Sequence, residues 1–230
     1  METVGNSKIF IVIPSFNEAK QLRKTILPLV DLGYTVVVVD DCSTDNTEST
    51  VSDLPIVYLT HPINLGQGAA LQTGMEFCVA NNAQYIVHFD ADGQHNYKEI
   101  LLMLQFLKDG NADVALGSRF KREEDIAAIP ALRKFVLRVA IMVNGFTTGL
   151  WLSDAHNGFR AFTKQAASKI KITENRMAHA TEILSLIKSA KLKVVEVPVH
   201  IEYTNYSKLK GQSSLNSINI LIDIVLNKIF

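Results

Sequence analysis

The sequence predicts an α/β fold, a single domain in which helices flank a mostly parallel sheet. Short runs of β-branched residues alternate along the chain with longer amphipathic segments, as expected of parallel strands joined by helices. With 230 residues, 47% of them hydrophobic and 20% charged, the chain can bury one large core. Polar clusters follow the predicted strands, which indicates a binding site at one edge of the sheet.

The first part of the sheet is predicted from uninterrupted apolar runs at residues 9–13 and 36–39, which are typical of strands buried on both faces. Between them, residues 18–30 place apolar side chains at helical spacing, and Gly33 ends that pattern. Together these three segments predict one β-α-β unit.

The same alternation continues along the chain. It predicts strands at residues 56–59, 85–89 and 114–116, and helices at residues 67–80 and 97–107. Residues 194–199 also have the composition of a strand, which Pro198 is expected to kink. We therefore expect the strands to lie side by side and mostly parallel, with the helices on their faces.

Charge and cysteine content argue against several classes of protein. Lys and Arg together number 23, as do Asp and Glu, so the chain has no net charge to attract nucleic acid. Cys42 and Cys78 lack the C-x-x-C spacing of a zinc site and fit a reducing compartment. Residues 1–8 lack the apolar core of a secretion signal, and polar residues interrupt the apolar segment 215–230, so we expect a cytoplasmic protein without a membrane span.

The most informative motif is Asp90-Ala91-Asp92, which directly follows a predicted strand. Alternate side chains of an extended chain share a face, so Asp90 and Asp92 can converge on one point while Ala91 faces away. Carboxylate oxygens suit Mg²⁺ or Mn²⁺, which take further ligands from water and from the phosphates of a substrate. The alternative is that these acidic residues and Gly93 only form a polar turn.

Polar clusters follow four of the predicted strands. They are found at residues 14–18, 40–45, 90–92 and 117–119. The carboxyl ends of parallel strands meet at one edge of a sheet, and ligands of α/β proteins bind there. A random distribution of polar groups would place many of them at the opposite edge. The sequence therefore predicts one site built from all four clusters.

These motifs together resemble family 2 glycosyltransferases, which have the GT-A fold, a Rossmann-like sheet flanked by helices. The resemblance also includes N-L-G-x-G-A at residues 64–69 and N-G-F-R at residues 157–160. Within the family, D-A-D-G-Q-H at residues 90–95 and G-F-R at residues 158–160 are typical of the branch that transfers sugars to polyprenyl phosphates. The resemblance implies an inverting glycosyltransferase that requires Mg²⁺ or Mn²⁺ and uses a nucleotide-diphospho-sugar donor.

The resemblance divides the domain into a nucleotide-sugar half at residues 8–118, an acceptor half at residues 119–214 and a C-terminal helix at residues 213–230. It assigns contacts with the nucleotide sugar to Pro14, Phe16, Glu18, Asp41, Gly66, Gln67, Asp90, Ala91, Asp92 and Lys208. Three of these contacts have structural alternatives. Phe16 can pack against the core, Glu18 can stabilise the first turn of a helix, and the small residues around Gly66 can form a tight turn.

The resemblance implies that the cation is bound by Asp92, Asp90 and Gln94 and that it neutralises charge on the leaving diphosphate. Arg119 and Arg160 are candidates for holding donor or acceptor phosphate, because guanidinium groups bind phosphate through two hydrogen bonds. Either arginine can instead pair with a carboxylate.

The acceptor decides whether catalysis requires a base. A polyprenyl phosphate is already ionised near neutral pH and requires none. A sugar hydroxyl requires a proton acceptor, for which Asp154 is favoured over His156 and Glu182. His88 is predicted to be a core residue with satisfied hydrogen bonds, whereas the roles of His95 and His179 stay open.

We expect the acceptor to be a polyprenyl phosphate or a membrane-linked glycan. The alternatives are a soluble sugar hydroxyl and, in another class, a non-catalytic nucleotide-sugar-binding subunit. Residues 131–151 are apolar with basic side chains, so they can lie at the inner face of a membrane or pack on the core. Residues 203–214, with Lys208 and Lys210, resemble the basic loop that closes over the donor in related transferases, and the alternative is a solvated loop.

Overall fold

The computed structural model describes residues 8–121, 138–139, 141–142, 145–146, 148–154, 157–176 and 178–202. A seven-stranded sheet forms the centre of the protein. Its strands are β1 (Ile9–Ser15), β2 (Thr35–Asp40), β3 (Val57–Thr60), β4 (Tyr85–His88), β5 (Val114–Ser118), β6 (Arg160–Thr163) and β7 (Val194–Pro198).

The strands lie in the order β3-β2-β1-β4-β6-β5-β7. β1 pairs in parallel with β2 and β4, β2 pairs in parallel with β3, and β5 with β7. β6 runs antiparallel between β4 and β5. The predicted mostly parallel sheet is confirmed. β6 lies outside the predicted strands, because its four residues begin with the charged Arg160 and do not form an apolar run.

The helices whose bounds fall wholly within the described residues are α1 (Leu22–Asp31), α2 (Gln67–Ala80), α3 (Ile100–Lys108), α4 (Lys164–Ala167) and α5 (His179–Ser189). α2 has its predicted bounds. α1 begins later than predicted, because a turn precedes it in which the carbonyl of Glu18 accepts the backbone N–H groups of Gln21 and Leu22. α4 and α5 lie outside the predicted helices.

Helices cover both faces of the sheet. On one face, α1 and α3 contribute buried side chains such as Leu22 and Met103 to one core cluster. On the other face, α2 and α5 contribute Met75 and Leu184 to a second cluster. Alternate residues of the central strands enter opposite clusters, which explains why these strands are apolar at every position. Each fully buried large side chain stabilises the fold by about 1.5–3 kcal/mol.

Several predicted features lie outside the described residues: Lys208 and Lys210, the C-terminal helix at residues 213–230, His156, and most of residues 131–151. Within the described part of the chain, no helix is both long enough and apolar enough to cross a bilayer.

Candidate functional site

The carboxyl ends of β1, β2, β4 and β5 lie at one edge of the sheet. The register pairs Ser15 with Asp40 and Val12 with His88 in parallel strands, so the residues after these strands emerge together. β5 has the same direction as β4, because both are antiparallel to β6. The four polar clusters therefore share one edge, which we call the site edge.

The loops after β1 and β2 are hydrogen-bonded to each other and form one wall of the site edge. The backbone N–H of Asn17 donates to Ser43 Oγ at 2.8 Å, and that of Thr44 donates to Asn17 Oδ1 at 2.8 Å. The backbone N–H of Glu18 donates to Thr47 Oγ1 at 2.9 Å. Short polar side chains suit such loops because they reach neighbouring backbone groups.

Three of the predicted nucleotide contacts belong to β1 or to this wall. Pro14 is buried within β1. Phe16 is 43% exposed, which contradicts the alternative that it packs in the core. Glu18 is buried and precedes the first turn of α1, which itself contains no acidic residue, so the helix-dipole alternative stays open. Contact of all three residues with a nucleotide stays a prediction.

Asp41 organises the loop that leads into α2. Its Oδ1 atom accepts His61 Nδ1 at 2.8 Å and the backbone N–H of Leu65 at 2.9 Å, and its Oδ2 atom accepts the N–H of Gly66 at 2.6 Å. The other ring nitrogen of His61 lies 2.9 Å from Thr73 Oγ1. Asp41 is buried, so these bonds give it a structural function, while its predicted contact with the nucleotide stays untested. His61 directly follows β3 and is a site-edge residue that sequence reasoning missed.

Gly66 and Gly68 are required by a close approach of another part of the chain. A Cβ atom at Gly66 would lie 2.3 Å from the carbonyl oxygen of Asn175, and one at Gly68 would lie 2.0 Å from that of Glu174. The backbone N–H of Gly68 also donates to the Asn175 carbonyl at 2.8 Å. The small residues therefore admit residues 174–175, a reason that differs from both predicted ones. Gln67 points elsewhere, and its Nε2 lies 3.3 Å from Asp90 Oδ1.

Glu182 holds the segment that packs on these glycines. Its carboxylate accepts the backbone N–H groups of Thr173 at 3.0 Å and Glu174 at 2.9 Å, and also the Thr173 hydroxyl. A carboxylate committed to these bonds is a poor proton acceptor for a substrate. The structure therefore argues against Glu182 as the predicted base and assigns it to the support of the glycine loop.

Asp90 is held in place from two sides. Its Oδ2 atom lies 2.9 Å from His95 Nε2, and a Cβ atom added at Gly158 would lie 2.6 Å from the same oxygen. Partial burial alone would raise the pKa of Asp90, but the charge and hydrogen bond of His95 and the charge of Arg160 hold it below its ordinary value. Asp90 is therefore an ionised carboxylate at neutral pH.

Asp92 is the second carboxylate of the motif, and its surroundings raise its pKa, whereas those of Asp90 lower it. Its Oδ1 atom accepts the backbone N–H of Gln94 at 3.0 Å. Burial and the charge of Asp90 raise the pKa of Asp92 from 3.8 to about 6. Among the described residues, no Lys, Arg or His lies within ion-pair distance of Asp92. Asp92 thus contributes a negative charge that no cationic side chain among the described residues matches.

Ala91 turns away from the site edge as predicted, but residues 91–93 form a turn beyond the end of β4, as the alternative had it, and are not an extended strand. Its side chain is buried in the core cluster, and its carbonyl accepts the Thr25 hydroxyl at 2.9 Å. Gly93 packs against Gln21, since a Cβ atom there would lie 2.4 Å from Gln21 Nε2. Its φ of +75° also favours glycine. These contacts clamp the turn between Asp90 and Asp92 onto α1. The predicted contact of Ala91 with a donor is thus limited to its backbone.

The donor set at Asp90, Asp92 and Gln94 fits a hard cation. Two carboxylates and one amide oxygen are the ligand types that Mg²⁺ and Mn²⁺ prefer. Among the described residues, no three His, Cys, Asp or Glu side chains come together to hold a metal ion. A cation at this edge would therefore take its remaining ligands from water and from a bound diphosphate.

Arg119 and Asp154, two predicted catalytic residues, are bonded to each other. Arg119 Nε donates to Asp154 Oδ2 at 2.7 Å, and the backbone N–H of Arg119 donates to the same oxygen at 3.2 Å. The Asp154 side chain is 2% exposed and that of Arg119 is 12% exposed. The alternative that Arg119 pairs with a carboxylate is therefore correct. Asp154, our favoured base, is engaged as the partner of a guanidinium group.

Arg160 lies at the start of β6 and is almost fully buried. Burial lowers its pKa to about 10, against the opposing charges of Asp90 and Asp154, so Arg160 stays protonated at neutral pH. Burial and the charge of Arg160 lower the pKa of His88 to about 3 and that of His179 to about 4. Both histidines are therefore neutral beside one buried cation.

The prediction that His88 has satisfied hydrogen bonds is wrong. His88 is 1% exposed, and neither of its ring nitrogens has a hydrogen-bond partner among the described residues. The ring instead packs against Phe162, with centroids 4.9 Å apart. Its neighbour across the sheet, Arg160, and the aromatic ring of Phe162 both lack an oxygen that could accept a hydrogen bond from the imidazole N–H.

The model of the family described as "Glycosyl transferase family 2" matches residues 10–171 of this chain. The chain belongs to glycosyl transferase family 2. An uncharacterized protein of Methanocaldococcus jannaschii is 31% identical over 230 residues, which cover 99% of this chain and 95% of the relative.

A second relative has a named activity. It is the UDP-N-acetylglucosamine–dolichyl-phosphate N-acetylglucosaminyltransferase of Methanococcus voltae, 27% identical over 245 residues that cover 98% of each chain. Among solved structures, glucosyl-3-phosphoglycerate synthase of Mycobacterium tuberculosis, crystallised with Mn²⁺ and UDP-glucose, has a TM-score of 0.61. It is 18% identical, and the match covers 89% of this chain and 74% of that one. The predicted GT-A fold and the resemblance to the polyprenyl-phosphate branch of the family are both confirmed.

We expect Gly158→Ala to lower kcat/KM of this glycosyltransferase by about a hundredfold, because the added methyl group displaces the Asp90 carboxylate from His95. Steady-state kinetics and thermal unfolding measure the effect. Gly74→Ala is the matched control, since its methyl group collides with Val12 in the core, at 2.3 Å. It should lower stability and leave the kcat/KM of folded protein unchanged. Equal kinetic effects of the two variants would contradict the importance of the Asp90 position.

Proposed function

We propose that this chain is an inverting, divalent-metal-dependent glycosyltransferase that moves a sugar from a nucleotide-diphospho-sugar to a polyprenyl phosphate or a membrane-linked glycan. The observation that carries the proposal is the pair Asp90 and Asp92, two carboxylates at the site edge of which one has no cationic partner among the described residues. The structural neighbour that binds Mn²⁺ and UDP-glucose supports the metal and the donor class. The Methanococcus voltae relative supports the acceptor class.

The reaction is one displacement at the anomeric carbon. An acceptor oxygen forms the new bond to this carbon as the bond to the donor diphosphate breaks, and the nucleoside diphosphate leaves with the electron pair. When bound, the cation neutralises charge that develops on the diphosphate. Asp90 and Asp92 hold it. The charge and hydrogen bond of His95, with the charge of Arg160, keep Asp90 ionised despite its burial, and Arg119, oriented by Asp154, attracts phosphate.

The structure favours a phosphate acceptor over a hydroxyl. Of the two candidate bases in the described residues, Asp154 is bound by Arg119 and Glu182 by the backbone of residues 173–174. A hydroxyl acceptor would need a carboxylate or an imidazole able to receive its proton, and the third candidate, His156, lies outside the described residues. A polyprenyl phosphate is already an anion and needs only to be positioned by cationic groups.

Exposed aromatic residues near the acceptor half support the approach to a membrane. Phe146 is 75% exposed and Trp151 is 64% exposed, and their rings contact each other with centroids 5.1 Å apart. Met142, one helical turn before Phe146, is 55% exposed. Apolar side chains of this kind enter the interface of a lipid bilayer. We therefore propose that this face contacts the inner surface of the membrane that carries the acceptor.

We expect Phe146→Ser/Trp151→Ser to weaken binding to vesicles of anionic phospholipid by about tenfold, because two aromatic side chains no longer enter the interface. Sedimentation with the vesicles measures this effect. Leu101→Ser is the matched control, since Leu101 is 44% exposed on α3 and belongs to neither the site edge nor this face. Unchanged binding of the double variant would contradict the proposed membrane contact.

The function is tested by incubating the purified chain with UDP-, GDP- and dTDP-sugars and Mn²⁺, with a short-chain polyprenyl phosphate or free sugars as acceptor. We expect transfer from one donor class to the polyprenyl phosphate, and loss of transfer when a chelator removes Mn²⁺. Transfer only to free sugars would support the hydroxyl alternative. Donor binding with neither transfer nor hydrolysis would support the non-catalytic subunit and overturn the proposal.

The affinity for Mn²⁺ should fall as the pH falls through about 6, where Asp92 becomes protonated. The sign follows because the cation binds the ionised carboxylate, so protons compete with it below the pKa. We expect the Kd for Mn²⁺ to rise by up to about tenfold for each pH unit below this value. Titration calorimetry between about pH 5 and pH 7 measures it. A flat profile would contradict the assignment of Asp92 as a ligand.

A further inference from the structure

Glu196 of β7 holds the bend at Ser153 and Asp154, within the acceptor half of the domain. Its Oε1 atom accepts the backbone N–H of Ser153 at 2.6 Å, the Ser153 hydroxyl at 2.7 Å and the backbone N–H of Asp154 at 3.3 Å. The Glu196 side chain is 14% exposed. A carboxylate that accepts several N–H and O–H groups in a shielded place makes strong bonds and restricts the backbone it holds.

The same bend is tied to the end of β5. The oxygen atoms of Ser118 and Ser153 are 2.7 Å apart, and the N–H of Phe120 donates to Ser118 Oγ at 3.3 Å. Because the Ser153 hydroxyl donates to Glu196, the Ser118 hydroxyl donates to Ser153. The bonds therefore run in one direction, from Phe120 through both hydroxyl groups to the carboxylate of Glu196.

Arg119 is connected to Glu196 through Asp154. Its Nε and Nη2 atoms donate to Asp154 at 2.7 and 3.4 Å, so the plane of the guanidinium group follows the Asp154 carboxylate. The position of Asp154 follows in turn from its backbone bond to Glu196. Lys121 also approaches Glu196, at 3.9 Å, but its side chain is 46% exposed, and such a surface ion pair contributes little.

We infer that Glu196 is a positioning residue that orients Arg119 toward the phosphate of the acceptor. This inference rests on the proposed function. Glu196 acts through the hydrogen bonds that its Oε1 atom accepts, because the groups it holds are backbone N–H groups and a neutral hydroxyl, and a neutral amide oxygen can accept the same bonds more weakly. We therefore expect it to affect the binding of the acceptor phosphate and not that of the nucleotide sugar, whose predicted contacts among the described residues lie in β1, in the loops after β1, β2 and β4, and at the start of α2.

The test compares Glu196→Ala, which removes the accepting oxygen, with Glu196→Gln, which keeps it and removes the charge. For Glu196→Ala we expect the KM for short-chain polyprenyl phosphate to rise by about tenfold, with the KM for the nucleotide sugar unchanged. Glu196→Gln, whose amide oxygen can accept the same bonds, should restore most of the wild-type value. Glu99→Ala is the matched control, because the buried Glu99 also accepts a backbone N–H, from His200 at 3.0 Å. It should lower stability without separating the two KM values.

Calorimetric binding of the polyprenyl phosphate without donor repeats the comparison independently of catalysis. A wild-type chain that binds this phosphate but transfers no sugar would overturn the proposed function alone. Equal phosphate affinity of Glu196→Ala and wild type would overturn the inference alone, as would an equal rise of both KM values. A wild-type chain that does not bind the phosphate would overturn both.

Discussion

Asp92→Asn is expected to abolish metal-dependent sugar transfer and leave the fold intact. The asparagine keeps one oxygen to accept the N–H of Gln94, but it removes the negative charge that would hold the cation beside Asp90. We expect turnover to fall by about a hundredfold to a thousandfold, the scale observed when a single electrostatic contact to the reacting groups is lost. Initial rates with saturating Mn²⁺ measure it. Retention of Mn²⁺-dependent turnover would show that Asp92 is not a ligand.

The same variant should be more stable than wild type when no metal is present. The pKa of Asp92 is higher in the folded protein than its ordinary value of 3.8, so the folded state binds the proton more tightly. Ionisation therefore destabilises the fold as the pH rises through about 4 to 6, and the loss persists above that window. We expect Asp92→Asn to gain about 1–2 kcal/mol near neutral pH and nothing near pH 4.

Asp113→Asn is the control for both measurements on Asp92. Asp113 also accepts one backbone N–H, from Lys193 at 2.8 Å, but it precedes β5 at the edge of the sheet opposite the site. This variant should leave turnover unchanged and should not gain stability near neutral pH. A gain in stability in both variants would mean that the stabilisation of Asp92→Asn does not come from the removal of charge at the site edge.

Arg119→Met is expected to lower both stability and transfer. Loss of the guanidinium group leaves the buried Asp154 carboxylate without its ion-pair partner. Breaking a buried ion pair in this way typically costs about 3–5 kcal/mol of stability. The double variant Arg119→Met/Asp154→Asn should recover most of this stability, because no unpaired charge remains. It should not recover transfer, because the cation for the acceptor phosphate is still missing.

Denaturant unfolding and steady-state kinetics separate these two effects of Arg119. Recovery of stability without recovery of transfer assigns the arginine to the reaction as well as to the fold. If transfer returned with stability in the double variant, Arg119 would be a structural residue only. If stability did not return, the pair would not be the source of the loss.

The sheet could be predicted from the sequence because its central strands are buried on both faces and must be apolar at every position. The site edge could be predicted for a related reason, since parallel strands bring the residues after them together. β6 escaped this reasoning because Arg160 interrupts the apolar pattern, and no local signal shows that this arginine is buried beside Asp90 and His88.

The supporting residues of the site could not be predicted, because their partners lie far along the chain. Gly68 has to be a glycine because the backbone of Glu174 packs against it. Glu196 holds the bend at Ser153, which lies 43 residues earlier in the chain. Neither relation leaves a pattern in a single sequence. For the same reason the sequence suggested Asp154 and Glu182 as bases. Their positions in the motifs do not show that their carboxylates are already bonded to Arg119 and to the backbone of residues 173–174.

The most direct test of the account is the effect of Mn²⁺ on the binding of nucleoside diphosphates, measured by calorimetry with UDP, GDP and dTDP near neutral pH. The account predicts that Mn²⁺ tightens the binding of at least one of them by about tenfold or more in wild type and of none in Asp92→Asn. Binding that is equally tight with and without Mn²⁺, or that Mn²⁺ strengthens equally in the variant, would contradict it.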